Sequence, residues 1–117
     1  MSANVELDHR DSVGIARLSG DVDIVHASAL RKRLLSAVRN QDLGLVVDLS
    51  DARYIDSVGV SVLFELAERL SDRQLRFAVV MPEGGLVQRV LTIVHLDSVA
   101  EVHPGLDDAL AALHSGS

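Results

Sequence analysis

Two stretches limit what this 117-residue chain can fold into more than any other feature. Leu43-Gly44-Leu45-Val46-Val47 is an almost continuous apolar run of strand length, and residues 75–81 form a second. A strand with one wet face alternates apolar and polar residues, whereas an unbroken run reads as a strand covered on both faces, as in a parallel sheet. Parallel neighbours cannot be joined by a tight turn, so a crossover must follow each of them. The sequence supplies these crossovers. Val60, Leu63, Phe64, Ala67 and Leu70 recur at helical spacing and predict a helix over 57–70. Pro82-Glu83-Gly84-Gly85 then turns the chain into a shorter helix carrying Leu86, Val87, Val90, Leu91 and Val94.

The flanking segments complete the pattern. Val5, Leu7 and His9 alternate with Asn4, Glu6 and Asp8, which reads as a half-exposed strand. Arg10-Asp11-Ser12 is a turn, and residues 13–18 form the second strand of a hairpin ending at Ser19-Gly20. A helix over 25–39 carries Ala27, Leu30, Leu34 and Val38 on one face. Ser71-Asp72-Arg73-Gln74 is a connector, residues 99–102 a short strand, and residues 106–113 a last amphipathic helix after Pro104-Gly105. The order predicts an α/β fold in one domain spanning 1–117, with an ordered core over about 4–113. Its mixed, mainly parallel sheet has about five strands, the first antiparallel, and about four helices joined by right-handed crossovers.

Composition narrows the functions available. Aromatics are 3% of residues, too few to build stacking platforms for bases or sugars. The net charge of −6 argues against direct binding to nucleic acid or to an anionic membrane. With no cysteine there is no disulfide, thiol catalysis or thiolate metal site, which suits a cytoplasmic protein. The N-terminal residues lack a hydrophobic signal region, and no apolar run is long enough to span a bilayer. Lys32 is the single lysine against ten arginines, and Arg31-Lys32-Arg33 reads as a solvated helix face.

In open α/β sheets, sites gather beyond the carboxyl ends of the strands. That edge is expected to hold Asp21 and Asp23, the polar loop 50–57, and the turn 82–85, as neighbours in space. Ser57 falls at the cap or first turn of the helix over 57–70. One reading is a helix cap worth about 1 kcal/mol, a job Asp56 can also do. The other is a phosphorylation site, since the amides and dipole at a helix N-terminus favour a phosphate. Position alone favours the cap. Gly59, costly inside a helix, marks the close approach of another backbone, either the sheet's or a partner's. Val62, Leu66 and Arg69 lie on a second helix face, which reads either as an exposed docking surface or as part of a wide buried face.

Other chemistries find no support in the residues. There is no GxxxxGK, GxSxG or HExxH pattern, and His9, His26, His95, His103 and His114 are scattered, so neither catalytic nor metal-binding residues nor a cofactor are expected. Asp48 and Asp56 follow a central strand as a phosphoacceptor aspartate would. That chemistry also wants an acidic pair after the first strand and a lysine after a late one, and Lys32 is on a helix.

Gly20-Asp21-Val22-Asp23, Val46-Val47-Asp48-Leu49 and Tyr54-Ile55-Asp56-Ser57-Val58-Gly59 resemble the signature blocks of the STAS domain family, specifically its bacterial anti-sigma factor antagonists. The likeness runs nearly end to end. It implies a non-enzymatic partner-switching protein, phosphorylated at Ser57 by an ATP-dependent anti-sigma factor serine kinase and dephosphorylated by a PP2C-type phosphatase. The unmodified form would bind the anti-sigma factor and release a sigma factor. The resemblance reverses the reading of Ser57, from cap to phosphoacceptor. It makes Asp21, Asp23, Asp56, Val58, Gly59, Val62 and Leu66 the expected partner-binding residues. Two departures stand out. Relatives often carry a threonine near His26, and many carry a small residue where this chain has Val58, whose branched side chain is expected to restrict approach to Ser57. A competing reading within the family is a non-switching scaffold subunit of a transport or stress-sensing complex.

Overall fold

The computed structural model describes residues 4–23, 27–81 and 83–115. The two covered runs sit side by side in it, at the middle of one sheet. The strands, in both chain and spatial order, are β1 (Asn4–Arg10), β2 (Val13–Val22), β3 (Gly44–Ile55), β4 (Arg76–Val80) and β5 (Glu101–His103). The first pair is antiparallel and the rest are parallel. The helices are α1 (Ala27–Ser36), α2 (Ser57–Asp72), α3 (Leu86–Ile93) and α4 (Leu106–Ser115).

The β1–β2 hairpin closes on Arg10↔Val13, leaving Asp11 and Ser12 as a two-residue turn with φ of 48° and 68°. Two successive left-handed residues give the turn whose twist matches that of the strands it joins. Alternation along the strands then sorts side chains into two layers. Ala16, Leu18, Leu45, Val47, Phe77 and Val79 face α1, α2 and α3 in the main core. Val13, Ile15, Val46, Ala78 and Val80 face α4 alone, through Ala109, Leu110 and Leu113. Arg76 fastens this second layer. It makes a bidentate pair with Glu101 (2.9 and 2.7 Å) and donates to the Ala112 carbonyl oxygen at the end of α4 (3.2 Å).

Element existence agrees with the sequence pattern, and the differences lie at element ends. The helix expected over 25–39 is found from Ala27 to Ser36, and residues 24–26 lie outside the described ones. It stops because Ala37 and Val38 leave the helical path to bury themselves against β2. β2 does not end at Ser19-Gly20 but continues to Val22, with Gly20 at φ 82°. The last strand lies slightly later than expected, after a 3-10 turn over Leu96–Ser98. The end of α2 is a Schellman motif without its usual glycine. Gln74 takes φ 59°, its N–H bonds Ser71 O (3.0 Å), and the Leu75 N–H bonds Leu70 O (2.8 Å).

The largest difference is in β3. Residues 50–57, expected to form a polar loop, are strand as far as Ile55, paired with β2 through Ser19↔Asp51, Gly20↔Ala52, Asp21↔Tyr54 and Val22↔Ile55. Register shifts fall between Arg17 and Ser19 and between Gly20 and Asp21. At each, β3 spends an extra residue, which makes a bulge. Two bulges within a few residues destroy the two-residue period, so the sequence looks like a loop. The result is a two-stranded ribbon that outruns β4.

β1 is mostly exposed, and a polar clasp helps to hold it. The Nε2 of His9 lies 2.9 and 3.0 Å from the carboxylate oxygens of Asp42, in the α1–β3 connection. Asp42 also accepts from the Arg39 N–H (2.7 Å), and its side chain is only 5% exposed. Burial pushes the Asp42 carboxyl up, but the Arg39 amide and the His9 ring outweigh it and hold the pKa below its ordinary 3.8. Such a group stabilises the fold above its unfolded pKa and stops doing so as pH falls through the folded one. Asp42→Asn should therefore cost about 1–2 kcal/mol at neutral pH. Urea unfolding of both proteins at a series of pH values should show that difference shrinking below about pH 4.

Candidate functional site

The ribbon carries the ends of β2 and β3 to one place at the edge of the sheet. The last register pair is Val22↔Ile55, and the Asp56 N–H then donates to the Val22 carbonyl oxygen (3.2 Å). Asp21 and Asp23 on one strand end and Asp56 and Ser57 on the other are thus held side by side. Asp21 lies opposite Tyr54, which is 42% exposed.

Asp56 is the N-cap of α2. Its backbone is extended (φ −103°, ψ −178°), and its Oδ1 accepts from the Gly59 N–H at 2.8 Å. That is the cap-to-third-residue bond that opens many helices. Ser57 is the first helical residue and is exposed. Its carbonyl oxygen accepts from the Ser61 hydroxyl (3.0 Å). The cap reading of Ser57 is therefore corrected: the carboxylate one residue earlier does that work.

Gly59 is buried where α2 crosses the end of β2. A Cβ at this position would lie 2.3 Å from the Val22 carbonyl oxygen and 2.8 Å from a side-chain carbon of Ile55. The close approach is to this chain's own backbone. Val58 is half-buried and packs against the main core. The threonine-like position near His26 lies outside the described residues.

The second face of α2 is covered. Val62 is 1% and Leu66 3% exposed, packed beside Leu34 and Leu35 of α1, so neither forms an exposed docking surface. The wide buried face is the one found, because α1 packs beside α2 on the same face of the sheet. An Arg31–Glu65 ion pair seals that helix contact, with Arg69 alongside at 3.8 Å. The turn before α3 also departs from a simple cluster around Ser57. Gly84 and Gly85 face the β3 ribbon at Ser50, Ala52 and Arg53, across a trough.

Further back on β3, Asp48 is the one charged residue in the buried set described. Its Oδ1 accepts from both the N–H (2.9 Å) and the hydroxyl (2.6 Å) of Ser50. This local closure sits where the first bulge begins and ties the Asp48 carboxylate to its own strand. Among the described residues, no group of three His, Asp or Glu side chains is arranged to hold a metal ion. No described helix is long and apolar enough to cross a membrane.

The division of labour at the helix start is measurable. Asp56→Ala should lower stability by about 1 kcal/mol, while Ser57→Ala should stay within about 0.5 kcal/mol of the parent. Gly59→Ala should cost about 1–3 kcal/mol through overpacking, despite alanine's better helix propensity. Chemical denaturation of the three variants checks the order; an equal loss at Ser57 and Asp56 would contradict it.

Known proteins resemble this chain along almost its full length. The model of the STAS domain matches residues 4–109. The anti-sigma-F factor antagonist RsfB of Mycobacterium tuberculosis is 27% identical over 115 residues, covering 98% of this chain and 93% of that protein. The crystal structure of an anti-sigma factor antagonist from Mycobacterium paratuberculosis superposes with a TM-score of 0.86 at 32% identity, covering 97% and 95% of the two chains. The anti-sigma factor antagonist SpoIIAA in its unphosphorylated form shares the fold, with a TM-score of 0.70 at 13% identity over 97% of this chain and all of that one. With its sheet order, its Asp56-capped α2 and a family match from β1 into α4, the chain belongs to the STAS domain family.

Proposed function

We propose that this protein is an anti-sigma factor antagonist, switched off by phosphorylation of Ser57. The observation that carries this reading is an exposed serine at the first position of α2, with the capping task taken by Asp56. The hydroxyl is accessible to a kinase, and the helix does not need it. The likeness to proteins named as antagonists over nearly the whole chain supports the same conclusion.

The unmodified protein binds an anti-sigma factor through the surface around Ser57, with Asp21, Asp23, Asp56 and Val58 at its margin, and so frees a sigma factor. The anti-sigma factor is itself a serine kinase. The Ser57 oxygen attacks the γ-phosphorus of ATP, ADP leaves, and the serine proton passes to a base on the kinase. A PP2C-type phosphatase hydrolyses the ester and restores the hydroxyl. The antagonist catalyses nothing and works in the cytoplasm, where sigma factors act.

Electrostatics account for the switching. Phosphorylation adds about −1.5 to −2 charges beside Asp21, Asp23 and Asp56. The helix N-terminus tolerates that charge at a benefit of about 0.3–1 kcal/mol, so the domain stays folded. A docked partner meets an unpaired charge, which costs roughly 2–5 kcal/mol at an interface, or about 30-fold to several thousand-fold in affinity.

Affinity capture from native lysate with wild-type and Ser57→Asp baits identifies the partners. Incubation of the purified pair with ATP should then give a species one phosphate heavier, modified at Ser57. Ser57→Ala should retain binding, and Ser57→Asp should lose at least about 30-fold. Equal binding by all three forms would refute the switch.

A further inference from the structure

One flank of α2 packs on α1; along the other, a groove of about 740 Å³ separates it from the 3-10 turn. The groove runs on into a second hollow of about 440 Å³, with which it shares Ala67, Ser71, Ser98 and Val99. Its floor is apolar: Phe64 is half-buried, Ala67 is buried, and Val99 stands 42% exposed on the far bank. Its rim is acidic. Glu65, Glu68 and Asp72 line it from α2, with no cationic side chain among the described residues that line it, and Asp97 and Glu101 line the second hollow. Glu65 is held by Arg31 and Glu101 by Arg76. Among the described residues, the carboxylates of Glu68, Asp72 and Asp97 have no ion pair or hydrogen bond.

This placement works against the isolated domain. Glu68 and Asp72 are four residues apart on α2, where like charges repel. Asp72 is also the last residue of the helix, the end at which the helix dipole disfavours an anion. Charges set against their own helix and left unpaired belong to the kind of local conflict that marks a functional surface. We propose that the groove is a second docking site, which takes a basic amphipathic helix of a partner protein. The apolar stripe of that helix meets Phe64, Ala67 and Val99, and its arginines or lysines meet Glu68, Asp72 and Asp97. The site is separate from the surface around Ser57 and does not rest on the antagonist reading. Ser61, Glu65, Glu68 and Asp72 make one ridge of α2, and such a ridge packs into the flank of another helix. From end to end the ridge spans about 16 Å, three helical turns. An extended segment is less well served, because the edge strand on this side, β5, is only three residues long. The acidic rim repels nucleic acid and anionic membrane, and the net charge of −6 opposes a second copy.

The probe is a stapled amphipathic peptide of about 14 residues, held helical because that length is marginal alone, with leucines on one face and arginines beside them. Titrated into this protein labelled with ¹⁵N, it should bind saturably and shift amides within residues 61–72 and 97–101. The same peptide with glutamate for arginine should not bind. Glu68→Lys with Asp72→Lys should weaken binding at least tenfold. Asp51→Lys with Glu83→Lys, the same change of net charge at exposed positions outside the groove, should leave it unchanged. Asp72→Asn should weaken binding and yet raise the urea midpoint of the free protein, opposite signs that a merely structural carboxylate would not give. Ser57→Asp should leave binding unchanged, since Ser57 lies about 16 Å along the helix from Glu68, beyond the screening length of salt. Loss of peptide binding in Ser57→Asp would merge the groove with the Ser57 surface and overturn a separate site. Equal losses from the two charge reversals, or no saturable binding, would overturn the proposal outright and leave the antagonist function standing. Shifts at the same amides that grow with the concentration of this protein alone would assign the groove to a second copy instead.

Discussion

The carbonyl oxygen of Val22 is the point on which the arrangement at the sheet edge depends. It accepts the Asp56 N–H, which ends β3 and sets the first residue of α2. The same oxygen lies so close to Gly59 that no side chain fits between them. One atom therefore fixes the start of the helix along the strand and its height above the sheet. Asp56 can then reach the Gly59 amide, and Ser57 is left outside. If the helix lifted by even a methyl group, the contact to β2 would open and Asp21 and Asp23 would lose their fixed relation to the serine.

That atom is reached only because the β2–β3 pairing persists beyond the rest of the sheet. Two bulges let the ribbon curl while keeping its ladder, and the Asp48–Ser50 bonds stabilise the first of them. Bulges are a common way to re-aim a strand end beside a functional position. Here they take two strands that would otherwise stop level with β4 and carry their tips to the mouth of α2.

The sequence made the layered core legible because burial on both faces leaves a simple signature. Val46 and Val47, or Ala78 and Val79, point to opposite layers yet are all apolar. The Asp56-Ser57-Val58-Gly59 block pointed to the edge at which the candidate site is placed. Three things escaped the sequence. The ribbon looked like a loop, because bulges erase alternation and leave Ser50, Asp51, Arg53 and Tyr54 exposed. Val62 and Leu66 were ambiguous, since a helix pattern tells how wide its apolar face is but not what covers each part; α1 is the cover. Asp56 and Ser57 are both good capping residues, and only the bond to Gly59 decides between them.

The assignment of that bond to Asp56 has a consequence for how information can pass through this domain. Whatever is attached to or removed from the Ser57 oxygen, the first turn of α2 remains closed by its neighbour. If Ser57 is the modified residue, the signal need not begin by breaking that bond. The signal would exist only in the field and shape presented outward, and the same rigid body would carry it in both states. Its tempo would be set by the enzymes that write and erase the mark and by how fast partners leave, and the domain itself would contribute no delay.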